Sequence, residues 1–141
     1  MLTGSAAAAS AVFSAINASR AANGLPALRW SAGLARSAHL HDLAMAAANQ
    51  LTHQLPGEPS LGARVSAQGV AWSWVAENCG LSPSLSTAGA LSVETLMINE
   101  VPPNDGHRMN ILSTRATMVG VDVVFDPAHH RLWLTEDFAA G

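Results

Sequence analysis

Apolar residues recur at helical spacing in the first third of the chain, which predicts two successive helices. The first is expected over about residues 6–22, because Asn23-Gly24 then supplies a left-handed stop. Pro26 prevents the helix from continuing, so residues 25–30 should form an extended connector that places Leu28 and Trp30 in the core. A second helix should follow a cap at Ser31 and end near residue 48.

The middle of the chain predicts two more helices separated by a strand. A short helix should follow a cap at Ser60 and stop before Gly69, and another should cover about residues 88–99. Between them, residues 70–79 have the aromatic and β-branched content of a strand, with Trp72 and Trp74 on one face.

The last third alternates apolar and other residues from Val119 to Phe125, which predicts a strand. Residues 126–130 should form a hairpin turn into a second strand over residues 131–138, where Glu136 and Asp137 are expected at the surface. Helices followed by a terminal antiparallel pair indicate the α+β class.

Length and charge narrow the class of protein further. With 141 residues, the chain is expected to form a single domain, residues 1–141. Its net charge is −3 and its seven basic residues are scattered arginines, which argues against nucleic acid as a partner. No apolar run approaches the roughly 20 residues of a membrane span, so none is expected. The sequence does not define an oligomeric state.

The N-terminal residues have neither the cationic leader nor the strong apolar core of an intact signal peptide. A mature secreted chain would look the same after removal of its signal peptide. Cys79 is the only cysteine, so no intrachain disulfide can form, and it is expected to be a small buried apolar residue.

The most promising chemistry lies around the turn at Pro102-Pro103. Glu100 and His107 flank this turn, and on the turn alone Asp105 is an equally good acidic partner for the histidine. Their partners should come from earlier in the chain, where His53 and Glu77 are the best candidates.

Supporting roles are expected for polar residues beside these candidates. Arg108 should pair with Glu100 or Asp105, and Asn110 should bond loop backbone. His39 and His41 lie two apart in a helix and therefore point in different directions, so they are expected to be hydrogen-bonded or packed residues rather than joint metal ligands.

Several short motifs occur in an order that resembles the bacterial, SCP-like branch of the CAP superfamily, which includes cysteine-rich secretory proteins, antigen 5 and plant pathogenesis-related class one proteins. The motifs are Asn17-Ala18-Ser19-Arg20, Gly24-Leu25-Pro26-Ala27-Leu28, Leu51-Thr52-His53, Ala76-Glu77-Asn78, Gly106-His107-Arg108-Met109-Asn110-Ile111-Leu112 and Glu136-Asp137-Phe138. The resemblance extends from about Val12 to Phe138.

The resemblance implies a three-layer α-β-α sandwich with a central antiparallel sheet and a secreted or cell-envelope location. It also implies a cleft with two histidines and two glutamates, which here correspond to His53, Glu77, Glu100 and His107. Asn78, Arg108 and Asn110 would support them. Ala76 departs from the family pattern, which has glycine before the glutamate.

Three functions are compatible with this cleft. The first is a binding module for a divalent metal, such as Zn²⁺, or for an unidentified extracellular ligand, since imidazole and carboxylate groups are good ligands for such ions. The second is a metal-assisted hydrolase, peptidase-like, that acts on extracellular or envelope substrates. In the third, the four residues only organise the structure of an interaction domain. The sequence does not decide whether the protein is an enzyme.

Overall fold

A computed structural model describes all residues from Met1 to Gly141. It contains five α-helices and five β-strands. The helices are α1 (Ala6–Ala22), α2 (Ala32–Ala48), α3 (Leu61–Ala67), α4 (Thr87–Ile98) and α5 (Gly106–Ile111). The strands are β1 (Thr3–Gly4), β2 (Arg29–Trp30), β3 (Trp74–Ser82), β4 (Met118–Asp126) and β5 (Arg131–Ala140).

Three long strands form the body of a single sheet. β5 lies in the middle and pairs antiparallel with β4 on one side and β3 on the other. The short strands β1 and β2 both pair with the outer edge of β4, at opposite ends of it. A 3-10 turn over Pro127–His129 connects β4 to β5, as expected for the predicted hairpin.

Helices cover both faces of this sheet and complete a three-layer α-β-α sandwich. The larger core lies between the sheet and α1, α4 and α5, and includes Val12, Ile16 and Phe138. On the opposite face, α2 and α3 pack on the sheet through residues such as Leu34, Met45 and Val65. The predicted α+β class and layered architecture are therefore confirmed. None of the helices has both the length and the apolar content needed to cross a membrane.

Serine side chains begin the four longest helices. The hydroxyl oxygens of Ser5, Ser31, Ser60 and Ser86 each accept a hydrogen bond from a backbone N–H three residues later. Such a cap stabilises a helix by about 1 kcal/mol compared with alanine. The predicted caps at Ser31 and Ser60 are therefore confirmed.

Gly120 allows α2 to lie directly on β4. A Cβ atom at this position would come within 2.0 Å of the backbone nitrogen of Ala35. This distance is shorter than any real contact between such atoms, so only glycine permits the observed spacing between helix and strand.

Two tryptophans lie elsewhere than predicted. Trp30 is 43% exposed, because β2 is an edge strand and its ring packs edge-on against Phe13, while Leu28 is buried as expected. Trp72 precedes β3 rather than belonging to it, and its indole N–H donates to Ser66 Oγ. The prediction that Trp72 and Trp74 share a strand face is therefore wrong.

Glu136 and Asp137 are fully buried, which contradicts the expectation that they lie at the surface. They belong to the central strand β5, and both faces of this strand are covered by helices, so neither side chain reaches solvent. Burial raises the pKa of both carboxyl groups. Glu94 of α4 lies beside Glu136, and its pKa is raised by burial and by this second carboxyl group. Glu94 therefore keeps its proton in the folded protein at neutral pH.

Candidate functional site

The first histidine–glutamate pair joins the loop after α2 to strand β3. Glu77 is buried on the face of β3 that packs toward α2, whereas the side chain of His53 is 62% exposed. The Nδ1 atom of His53 lies 3.1 Å from Glu77 Oε1. Arg64 of α3 also binds this carboxylate, with Nη1 2.9 Å from Oε2 and Nη2 3.3 Å from Oε1.

These contacts make Glu77 a stable anion. Burial alone would raise its pKa, but hydrogen bonds from His53, Asp137 and Arg64 outweigh this effect and lower the pKa. The same hydrogen bond raises the pKa of His53. A carboxylate held in this way orients the histidine and is a weak proton acceptor.

The second pair lies at the start of α5. Glu100 follows α4, and its Oε2 is 2.6 Å from His107 Nδ1. Its Oε1 accepts the backbone N–H groups of His107 and Arg108, at 3.0 and 3.2 Å. Glu100 thus caps α5, whereas the side chain of Asp105 makes no capping hydrogen bond. Partial burial would raise the pKa of Glu100, but the hydrogen bond from His107 and the two backbone bonds lower it.

Two asparagines connect the pairs. Asn78 Nδ2 donates to the backbone carbonyl of His107 at 3.2 Å, and also to Glu136. Asn110 Nδ2 donates to Asn78 Oδ1 at 2.8 Å and reaches the backbone carbonyl of Glu77 at 3.5 Å. Since Glu77 and Asn78 are neighbours in β3, this strand positions both pairs.

Arginine side chains hold the two ends of the segment around α5. The guanidinium of Arg108 donates to the backbone carbonyl of Ile98 and forms no ion pair with Glu100 or Asp105, which corrects the predicted pairing. The buried Arg20 of α1 donates to the backbone carbonyls of Ile111 and Ser113 at the end of α5. Both arginines therefore have structural contacts.

Both histidines present their Nε2 atoms without a hydrogen-bond partner in the protein, since all their ring contacts are made through Nδ1. Each Nδ1 faces a carboxylate that fixes the tautomer of the neutral ring and leaves the Nε2 lone pair available. This arrangement is typical of histidines that bind metal ions. His107 is partly accessible, with 36% of its side chain exposed.

A second group of possible metal ligands was not predicted. His41, Glu77 and Cys79 offer ligand atoms that all lie within 4.8 Å of one another, so this group could hold a metal ion. No other three residues of these types meet this distance criterion. Of the four predicted cleft residues, only Glu77 belongs to this group. The alternation of β3 places Glu77 and Cys79 on one face, which is a signal the sequence contains, but nothing in the sequence brings His41 to them.

The contacts of this buried group favour a structural role. His41 Nδ1 lies 2.7 Å from Glu58 Oε2, and its Nε2 lies 2.8 Å from the carbonyl oxygen of Thr52, so both ring nitrogens already have partners. Burial raises the pKa of Cys79, so its thiol stays protonated, as expected for a small buried apolar residue.

Comparison with known proteins gives a family and several similar folds. The family model described as "Cysteine-rich secretory protein family" (CAP) matches residues 13–138. A comparison with curated protein sequences gives no significant match.

Three solved structures are similar to this chain. An extracellular protein containing an SCP domain from Bacillus anthracis is 25% identical, with a TM-score of 0.79 over 95% of this chain and 40% of that chain. An outer surface protein from Borrelia burgdorferi is 13% identical, with a TM-score of 0.81 over 99% of this chain and 98% of that chain. A cysteine-rich secretory protein from Staphylococcus aureus is 19% identical, with a TM-score of 0.67 over 95% of this chain and 39% of that chain.

The present chain therefore spans about 40% of the length of the first of these proteins. The two less similar structures support the fold alone. Since the family model covers most of the sequence, the chain belongs to the cysteine-rich secretory protein (CAP) family.

Proposed function

We propose that this chain is a secreted bacterial CAP domain, comprising residues 1–141, that binds a divalent metal ion or an extracellular ligand through His53 and His107. One observation carries the proposal: each of these imidazoles has its Nδ1 atom held by a glutamate and its Nε2 atom free. A secreted or cell-envelope location is supported by the extracellular protein from B. anthracis, because this chain shares the fold of that protein's SCP domain and is 25% identical to it.

The chemistry of these side chains suits Zn²⁺ or a related divalent ion. His53 and His107 would hold it through Nε2, while Glu77 and Glu100 would orient the rings and increase the basicity of their nitrogens. The glutamates would thus act through the histidines rather than as direct ligands. A bound ion would supply a positive charge that attracts an anionic group of a ligand.

The hydrolase alternative requires a proton acceptor beside the ion. Glu77 is poorly suited to this role, because it is buried, paired with Arg64 and has a lowered pKa. Glu100 also has a lowered pKa and is occupied by three hydrogen bonds from His107 and Arg108. A general base works best with a pKa near the operating pH, so these contacts favour a binding role.

Zn²⁺ uptake tests the proposal directly. The purified chain is dialysed against Zn²⁺ and its metal content is measured by mass spectrometry. We expect about one ion per chain, lost in both His53→Ala and His107→Ala. His129→Ala is the matched control, because His129 is also a partly exposed histidine with its Nδ1 atom 2.7 Å from a carboxylate, that of Asp126.

The remaining outcomes separate the alternatives. Absence of stoichiometric uptake, or uptake unaffected by His53→Ala and His107→Ala, would refute metal binding at this site. Uptake lost in Cys79→Ser would place the ion in the buried His41, Glu77 and Cys79 group instead. Metal-dependent peptide hydrolysis lost in a folded Glu77→Gln variant would favour the hydrolase.

A further inference from the structure

A cavity of about 600 Å³ opens at the outer edge of β4. Strand β3, which positions the histidine–glutamate pairs, lies on the other side of β5. It is lined by residues of α1, α2, β4 and the two short strands. Its volume lies within the roughly 300–1,000 Å³ of small-molecule sites.

The cavity exists because the edge of β4 is only partly covered. β1 pairs with Val124 and Phe125, and β2 pairs with Met118 and Val119, which leaves the middle of the strand between them. The carbonyls of Val119 and Val123 accept hydrogen bonds from Ser31 and Ser5 at this edge. The alternation of the strand directs the backbone N–H and C=O groups of Val121 to the same edge, into the gap.

The walls of the cavity combine aromatic, small and polar residues. Phe13 and Trp30 pack edge to face with their ring centres 5.2 Å apart and form an aromatic wall. Ala6 and Ala9 of α1 are among the lining residues and leave space in front of these rings. Such a surface suits a flat aromatic ligand, because two packed rings gain about 1 kcal/mol of interaction free energy in addition to that from burying their apolar surface.

His39 supplies a directed polar group in this cavity. Its Nδ1 atom lies 3.1 and 3.2 Å from the two carboxylate oxygens of Asp122, while its Nε2 atom has no partner in the protein. The carboxylate fixes the proton of the neutral ring on Nδ1, so Nε2 is a hydrogen-bond acceptor. The complementary group of a ligand is therefore a hydrogen-bond donor, and a hydroxyl group is one such donor.

We propose that this cavity is a second binding site, separate from the histidine–glutamate pairs, for a small aromatic molecule that carries a hydroxyl group. The ring packs against Trp30 and Phe13, and the hydroxyl donates to Nε2 of His39. Val121 of β4 is among the residues that line the cavity.

Binding of p-cresol tests the proposal, with toluene as the same ring without the hydroxyl group. Binding is followed by the ¹H–¹⁵N NMR signal of the Trp30 indole during titration. We expect saturable binding of p-cresol that is about tenfold tighter than that of toluene, the effect of one hydrogen bond. His39→Ala should reduce p-cresol binding to the level of toluene, whereas His129→Ala, which removes a similar histidine outside the cavity, should not.

A second pair of variants tests the location of the site. Ala6 and Ala7 are both exposed residues in the first turn of α1, but only Ala6 lines the cavity. Ala6→Phe should therefore abolish p-cresol binding, and Ala7→Phe should leave it unchanged. The proposal would be overturned if p-cresol and toluene bound equally well, or if p-cresol did not bind the wild-type chain. Full binding of p-cresol by His39→Ala or by Ala6→Phe would also overturn it.

Discussion

Replacing Glu94 with glutamine is expected to stabilise the protein at neutral pH. Glu94 is only 2% exposed and lies beside Glu136, and both of its oxygens lack a fixed hydrogen-bond donor. Burial, followed by the negative charge of Glu136, raises its pKa. The folded protein therefore keeps a proton on Glu94 that the unfolded chain releases above about pH 4.5.

The size of the effect follows from this difference in proton binding. Because the pKa of Glu94 is higher in the folded state, its contribution to stability is complete below pH 4.5 and decreases as the pH rises toward the folded-state pKa. Each pH unit changes the free energy of unfolding by about 1.4 kcal/mol, so the loss between pH 4.5 and 7 is at most about 3.5 kcal/mol. The amide introduced by Glu94→Gln has no charge to lose and can donate to Glu136. We expect a gain of about 1–3 kcal/mol at pH 7.

Urea unfolding at pH 5, 6, 7 and 8 measures the difference between the wild type and Glu94→Gln. The advantage of the variant should increase with pH over this range. Thr95→Gln is the control, since Thr95 is the next residue of α4 and is exposed, and its effect should stay within about 0.5 kcal/mol at every pH. If the difference in free energy of unfolding between Glu94→Gln and the wild type were the same at pH 5 and pH 8, the conclusion that Glu94 keeps its proton in the folded protein would be refuted.

Two further substitutions test packing and charge. Arg64→Met should lower the free energy of unfolding by about 3–5 kcal/mol, because Glu77 would be left as a buried anion without the arginine that pairs with it. Urea unfolding measures this loss, and a loss below about 1 kcal/mol would contradict the prediction. Gly120→Ala should destabilise the protein by about 1–3 kcal/mol or more, because the new methyl group would meet the backbone of Ala35 in α2. Thermal unfolding measures this effect. Gly106→Ala is the control, because a Cβ atom at Gly106 would contact no other atom.

Much of the fold could be predicted from local signals in the sequence. Serine caps and helical periodicity predicted α1 to α4, and the alternation from Val119 to Phe125 predicted β4. The short helix α5 was not predicted. The burial of Glu136 and Asp137 could not be predicted in the same way. Acidic residues in a strand are normally solvated, and only the central place of β5 in the sheet removes them from water.

The candidate site was predictable to a different extent. The family resemblance indicated His53, Glu77, Glu100 and His107, and the structure places them as two hydrogen-bonded pairs. Their role in binding stays a prediction. The proximity of His41 to Glu77 depends on the way α2 packs across the sheet, which no local pattern encodes.

Helix α5 has only six residues, too few to be stable alone, since isolated helices below about 12–15 residues are marginal in water. Its order comes from contacts with the rest of the fold. Glu100 accepts the first N–H groups, Asn78 of β3 donates to the carbonyl of His107, and Arg20 binds the last carbonyl. Amide hydrogen exchange in α5 should therefore be cooperative, so that loss of either end exposes the whole helix. The orientation of His107 would then depend on the docking equilibrium of this short segment on β3 and α1.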